Sequence, residues 1–421
     1  MPLDKILKCS FFVLIFSLGF MQPSFLVVSY EVPYTDPIFL FVFLIWFFAL
    51  LFRKAKLRFS FFYLPLVFYF LAVACSTIFS IEPKISFFKL SGEMYLIGLA
   101  VLTFNLVDSV EMTKKTILVW LAGTFAACFV SVLTLTLFYI DRTNPLLTFT
   151  LSHFGTLPPG NYARIRGSFQ NANMLCDYLN VSLMFVLAAF RLDWINKRTF
   201  AIFLVFFAVA VFFTLSPGLG GILLCAGLWM RLIFQENNFS SLARISLVGG
   251  IASASVFFIM LLFLPNANPL SPYYFNLPFF DRPVYPSERL LAWQGTLEAF
   301  WKEPVFGHGL GIDVINIRSI IASGNIHIVS DAHQLWLSVA GQSGILGLAA
   351  ILTVTIVFLR KTLPWTLGKE PISVLRVCFG LAFLGAFIYQ GLGGSYEDAR
   401  HLWVLIGLIG SISELRTLVT D

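Results

Sequence analysis

Apolar segments long enough to cross a bilayer recur along almost the whole chain, and that recurrence limits the fold more than any motif does. A bilayer core asks for about 20 apolar residues in helix. Segments of that kind lie at 9–30, 36–52, 59–80, 86–107, 116–140, 171–190, 199–216, 218–234, 245–265, 334–359, 372–392 and 401–419. Charged residues make up 12% and hydrophobic ones 58% of the 421 residues, whereas a soluble domain carries about a quarter charged. The 48 phenylalanines suit a lipid-facing surface, since an aqueous fold could not hide so much apolar area. The expectation is an all-α polytopic membrane protein with about 12 transmembrane helices. Residues 1–30, which begin with Lys5 and Lys8 before an apolar run, are expected to be a retained first helix because no small-residue cleavage site follows.

Basic residues set the orientation. With the N-terminus inside, eighteen of the 28 Lys and Arg residues fall at cytoplasmic helix ends, among them Arg53, Lys54, Arg58, Arg191, Arg231 and Arg360. The bias sits in short loops, where it is most informative. The net charge of +6 therefore reports topology, and no nucleic-acid partner is expected. This orientation puts His153, His308, His327, His333 and His401 outside, together with the two long polar segments 141–170 and 266–333. Three regions follow: spans one to nine over 1–265 with the outer loop 141–170, a large, partly helical outer loop over 266–333, and spans ten to twelve over 334–421. Neither ATP nor nucleotide sugars are supplied on that side, so a synthetic reaction there needs an activated donor already in the membrane.

Three constellations in the outer segments can carry chemistry. Arg164-Ile165-Arg166-Gly167-Ser168-Phe169-Gln170-Asn171-Ala172-Asn173 pairs two guanidiniums with amides. Arginine presents planar bidentate donors to phosphate oxygens, and it also snorkels to lipid headgroups without further function. In the second, Ser287 reads as an N-cap before Glu288, Arg289, Trp293, Leu297 and Phe300. Arg289 then stands in the first turn, where the helix dipole favours an anion, while Glu288 complements the same dipole. The third is Asp331-Ala332-His333 at the mouth of the tenth span. A neutral imidazole can take a proton from a sugar hydroxyl and the aspartate can fix its tautomer. The alternatives are a structural histidine and a helix-capping aspartate. Asp281, Asp313, Asp331, Glu397 and Asp398 form no paired-Asp or EF-hand spacing, and all six cysteines lie inside apolar segments. Neither metal nor cofactor is expected.

These segments together resemble the O-antigen ligase and Wzy polymerase superfamily of bacterial membrane glycosyltransferases. The Arg164–Asn173 stretch is similar to the family's Arg, Gly-Ser/Thr-Phe and terminal Asn. Arg289-Leu290-Leu291-Ala292-Trp293 running to Pro304-Val305-Phe306-Gly307-His308-Gly309 resembles its Arg, Trp, then Pro-x-x-Gly-x-Gly. His333-Gln334-Leu335-Trp336-Leu337 with Gly341 to Gly347 resembles its His-Asn-x-Tyr-Leu helix. The likeness covers roughly 160–360 and the Trp403 region. Two positions depart from the pattern: Ser216-Pro217-Gly218 stands where members often show Ser-Arg-Gly, and Gln334 replaces Asn.

The resemblance implies a GT-C-like enzyme of the bacterial inner membrane with its site facing the periplasm. It implies transfer of a glycan from an undecaprenyl diphosphate carrier to an acceptor hydroxyl, inverting and without metal. His333 and Arg289 would be catalytic, Arg164, Arg166 and Arg289 would hold the diphosphate, and Asp331 and Asn173 would support them. The acceptor would be lipid A-core in a ligase or a growing glycan in a polymerase; the modest size and absence of a soluble appendix favour the ligase. From another class, a secondary transporter or lipid flippase would place ionisable residues such as Lys89, Glu93 and Asp177 at mid-membrane and show repeated halves, and no repeat is visible. A structural scaffold would have no need of the outer Arg and His residues.

Overall fold

The computed structural model describes residues 3–22, 24–27, 30–152, 163–233, 240–263, 288–320, 326–365, 368, 370–394 and 399–420. In chain order these form α1 (Leu3–Ser17), a hairpin of β1 (Phe25–Val27) and β2 (Tyr30–Val32), α2 (Thr35–Leu51), α3 (Tyr63–Ile78), α4 (Pro83–Leu106), α5 (Val110–Ile140), α6 (Leu147–Thr150), α7 (Ala172–Arg191), α8 (Lys197–Phe213), α9 (Gly218–Ile233) and α10 (Ser240–Phe263). Then come α11 (Glu288–Lys302), a second antiparallel hairpin of β3 (Ile317–Ile320) and β4 (Ile326–Val329), α12 (Leu335–Thr362), α13 (Pro371–Ala382) running into a π-helical turn (Phe383–Tyr389), and α14 (Arg400–Thr420). Among the described residues, five helices are long and apolar enough to cross a membrane: α4, α5, α7, α12 and α13 with its π turn. Shorter apolar helices occupy Thr35–Leu51, Tyr63–Ile78, Gly218–Ile233 and Ala243–Val256. The chain is an all-α, multi-pass membrane protein, and each apolar segment picked out in the sequence overlaps a helix.

Side chains at the helix starts explain several boundaries. Ser109, Asn171, Asn196 and Gln334 each accept a hydrogen bond from the backbone N–H three residues on, which satisfies a donor that has no partner within the helix. Pro83 and Pro371 stand in the first turns of α4 and α13, where the missing N–H is harmless.

Helix α7 is the axis of the bundle, with every residue from Leu175 to Ala189 buried. Residues 374–382 of α13 and 401–412 of α14 are nearly as enclosed. Around them α2 and α3 turn phenylalanines and leucines outward, such as Phe41, Phe48, Leu64 and Leu71, as a lipid-facing shell does. Close helix contacts are made at glycines. Gly19 and Gly123 meet between α1 and α5, and Gly407 of α14 lies against Ala100 and Thr103 of α4. In lipid such small-residue contacts replace the hydrophobic driving force that is missing between apolar helices.

One end of the bundle is basic. Arg58 donates to the carbonyls of Phe104 and Val107, Ser60 Oγ donates to Glu414, and Lys361 reaches Ser413. The ends of α3, α4, α12 and α14 therefore gather there, and the opposite end is called the far end below.

Two expected spans differ from the structure. The first, placed at 9–30, is a helix that begins at Leu3 and stops at Ser17. The chain turns at Leu18–Gly19 because Gly19 is seated on the carbonyl of Gly123. The N–H groups of Met21 and Gln22 then donate to Ser168 O at 2.7 and 2.8 Å. The tenth, placed at 334–359, is interrupted at Gly344 (φ 61°, ψ −160°). The expected N-cap Ser287 and the loop before it, residues 264–286, lie outside the described residues.

The α1–α5 contact yields a stability prediction. A Cβ at Gly123 would lie 2.6 Å from Phe16 O, whereas one at Gly92 meets nothing within 4 Å. Gly123→Val is expected to destabilise the protein by about 1–3 kcal/mol through overpacking, read as a lower thermal midpoint in detergent. Gly92→Ala leaves the midpoint unchanged or slightly raised.

Candidate functional site

The break in α12 builds the far end. At Gly344 the helix loses its own hydrogen-bond partners, and the segment that follows α11 supplies replacements. Ile345 N donates to Pro304 O (2.8 Å) and Leu346 N to Val305 O (3.4 Å). His308 N donates to Gly341 O (3.2 Å) and Gly309 N to Gln342 O (3.0 Å). Gly307 and Gly309 have φ of 69° and 123°, a region that side chains disfavour. A Cβ at Gly307 would lie 2.3 Å from Gln342 O. The Pro304–Gly309 sequence is thus a plug for a broken helix. The residues before the break, Leu335–Ser343, run across the far end: Gln342 O accepts from Ser76 Oγ near the end of α3, while Leu335 packs against Gly391, just past the π turn.

His333 stands immediately before that segment with φ 48°. Its Nδ1 lies 3.1 Å from Asp331 Oδ2, and its side chain is half exposed. Asp331 Oδ1 accepts from Ser338 Oγ at 2.6 Å, which ties the carboxylate to the first turn of α12. A protonated Nδ1 facing the carboxylate leaves the Nε2 lone pair as the basic position. Gln334 performs the capping that Asn would, accepting from Leu337 N at 2.5 Å.

Arg289, in the first turn of α11, donates from Nη1 to Gly393 O at 2.8 Å. One turn further on, Trp293 Nε1 donates to Ala332 O at 3.0 Å. The residue preceding His333 is therefore fastened to the helix that carries Arg289. The Gly391–Gly393 strap touches both, since Gly391 lies against Leu335.

Arg164 and Arg166 sit differently. Arg164 donates from Nε to Thr214 O (3.1 Å) and from Nη2 to Asn173 Oδ1 (3.0 Å). Arg166 donates to three backbone carbonyls, Phe149 O, Gln170 O and Thr148 O, and so braces its own loop. The path from Arg164 to Arg289 runs through the α8–α9 turn. Thr214 holds Arg164, Gly218 lies against the Gln390 side chain, and Gly393 N donates to Gln390 O at 2.9 Å.

Beneath this rim is a pair that residue types alone did not reveal. Asp177 of α7 and His401 of α14, 0% and 2% exposed, meet at 2.8 Å. In the sequence Asp177 stands alone as an ionisable residue within an apolar span, and 224 residues separate it from its partner. The other two such charges also lie in contacts: Glu93 accepts from Tyr69 OH at 3.1 Å, and Lys89 packs under Gly311. Among the described residues, no group of three or more His, Cys, Asp or Glu side chains is placed to hold a metal ion.

The fold and this rim define a multi-pass helical membrane protein with arginine and histidine side chains framed at one end. Residues 181–352, about two fifths of the chain, match the family model described as O-antigen ligase. The family that this stretch resembles is one of lipid-linked glycan transfer. The match runs from α7 into α12 and takes in Arg289, Asp331 and His333; Arg164, Arg166 and Asn173 precede it. No curated protein matches the chain.

The plug gives a prediction for the rim. Gly344→Ala places a Cβ at positive φ, 2.4 Å from Val305 O, and is expected to cost about 1–3 kcal/mol. Faster limited proteolysis between residues 302 and 335 is the accompanying readout; an unchanged melting curve and digest would show that the break is not held as described.

Proposed function

We propose that this protein moves a glycan from an undecaprenyl diphosphate carrier to an acceptor hydroxyl at the far end of the bundle. That end is the periplasmic face of a bacterial inner membrane, and the chain crosses the membrane twelve times. The observation that carries this reading is the shared framework of base and cation. His333 is aligned by Asp331, and the residue before it is clamped by Trp293, one turn from Arg289.

His333 Nε2 takes the proton of the acceptor hydroxyl as its oxygen attacks the anomeric carbon from the face opposite the diphosphate. The bond from that carbon to the phosphate oxygen breaks, and undecaprenyl diphosphate leaves with the electron pair. Configuration is inverted, and the proton passes from the imidazole to water. Arg289 and Arg164 stabilise the charge growing on the diphosphate; arginine suits this because its fork of donors matches phosphate oxygens. Arg166, bonded to three carbonyls, holds the loop that presents Arg164, and Asn173 orients Arg164 directly. A diphosphate is already a competent leaving group, so the reaction runs without metal. The acceptor is lipid A-core, which makes the protein a ligase.

Purified protein in liposomes with lipid-linked glycan and core acceptor tests each part. His333→Ala is expected to slow transfer by about 10²–10⁴-fold, the usual contribution of a general base. Wild-type rates in that variant would remove His333 from the chemistry. Arg289→Lys keeps a charge but loses the bidentate fork, and is expected to slow transfer measurably without abolishing it. Chelator leaves the rate unchanged. Glycan appearing on the core identifies the ligase, whereas lengthened carrier-bound chains identify a polymerase.

A further inference from the structure

Helix α11 is exposed in a way the chemistry above does not use. We infer that it lies flat on the outer leaflet, with one edge inserted at the boundary between headgroups and acyl chains. Its ends are fixed to the far ends of different spans. Arg289 at its start bonds to Gly393 beyond the π turn, and Pro304 just past its end bonds to Ile345 at the α12 break. A helix tethered at both points crosses the top of the bundle instead of standing up from it.

At about 100° per residue, the surface of α11 divides into three. Ala292, Thr296 and Ala299 are buried and face the bundle. Leu297 and Trp301 share a narrow arc with the half-buried Leu290, and they are 45% and 69% exposed. Gln294, Glu298 and Lys302 occupy the neighbouring arc and are exposed as well. A helix with a packed side, an apolar edge and a polar edge matches the interfacial arrangement, in which the apolar edge enters the bilayer by about 5–10 Å. Tryptophan is the side chain most at home at that depth.

The apolar edge does not end at α11. Val305, 48% exposed, follows it in sequence and bonds through its carbonyl to Leu346. Next to it, Ile345 begins the outward stripe of α12 that continues through Leu352 and Ile356. That stripe faces acyl chains on a membrane-spanning helix, so the strip on α11 is the continuation of a lipid-facing surface. The occupant is therefore the lipid of the outer leaflet. Its seating fixes Arg289, in the first turn, near the depth of lipid phosphates; that consequence alone rests on the proposed glycan transfer.

The test places single nitroxide-labelled cysteines at positions 294, 297, 298 and 301 of the full-length protein. Cys9 and Cys75, which are not buried, are first replaced by serine, and the protein is held in nanodiscs of phosphatidylethanolamine and phosphatidylglycerol. Oxygen, which concentrates in lipid, is expected to collide more often than a water-soluble nickel chelate at 297 and 301, and the order should reverse at 294 and 298. Equal chelate access at all four sites, or oxygen dominance at all four, overturns the inference. A second measurement avoids labelling. Brominated lipid should quench the fluorescence of the otherwise native protein by a larger fraction than that of Trp301→Phe, and an identical fraction in both counts against the seating. Neither readout depends on transfer activity, so failure of the glycan reading and failure of this one are separable.

Discussion

The far end of this protein depends on the hydrogen bonds that repair α12 at Gly344. A helix broken beside a bilayer leaves backbone N–H and C=O groups without partners, and each costs several kcal/mol if water cannot reach it. Here Pro304 O, Val305 O, His308 N and Gly309 N meet Ile345, Leu346, Gly341 and Gln342 in turn. That repair needs backbone at very close range, which is why Gly307, Gly309 and Gly344 all take positive φ. Because the plug holds the segment between α11 and β3 against α12, it also fixes where α11 begins. The position of Arg289 relative to His333 is thus a consequence of backbone pairing several residues away from either side chain.

Much of the helical frame was legible because hydrophobic runs of bilayer length are a simple signal. The capping residues were partly legible, Asn171 and Asn196 being ordinary N-cap types. The break was not. Gly341, Gly344 and Gly347 are spaced as a small-residue packing face would be, and nothing local says that Gly344 alone departs from helical dihedrals. The end of α1 was missed for a related reason, since the apolar run continues past Ser17 and only the contact with Gly123 stops the helix. At the rim, residue types pointed to arginines and a histidine, but the sequence could not distinguish Arg164, bonded to Asn173, from Arg166, spent on three carbonyls.

Long-range charge pairs fix the start of α14. The strap leads into Arg400 and His401 at the start of α14. Arg400 forms a two-pronged bridge with Asp36 of α2 at 2.6 and 2.7 Å, and His401 meets Asp177 of α7. Removing one partner of such a pair would strand the other in a medium of low dielectric, so each pair specifies one position for α14 more strongly than it adds net stability. The transporter alternative expected ionisable residues inside the membrane. The structure has them, but each pair joins two helices, and both anchor the start of α14, to α2 and to α7.

A flat α11 makes sense of the division of labour between its faces. Its packed side lies against the bundle, and in the proposed seating its polar edge keeps Glu298 and Lys302 in water while its apolar edge meets lipid. A diphosphate carried on a lipid moves in the plane of the headgroups, so a guanidinium held at that depth meets it without lifting the polyprenyl chain out of the bilayer. Ordinary phospholipids bring single phosphates to the same depth and compete for the same donors. Discrimination then comes from engaging two linked phosphates at once, which a rigidly framed set of arginines can do and a mobile lysine cannot. If the rim binds a lipid-linked diphosphate as proposed, the rigidity supplied by the plug, the strap and the paired charges becomes part of substrate selection, because a looser rim would hold the commoner lipid nearly as well as the rarer one.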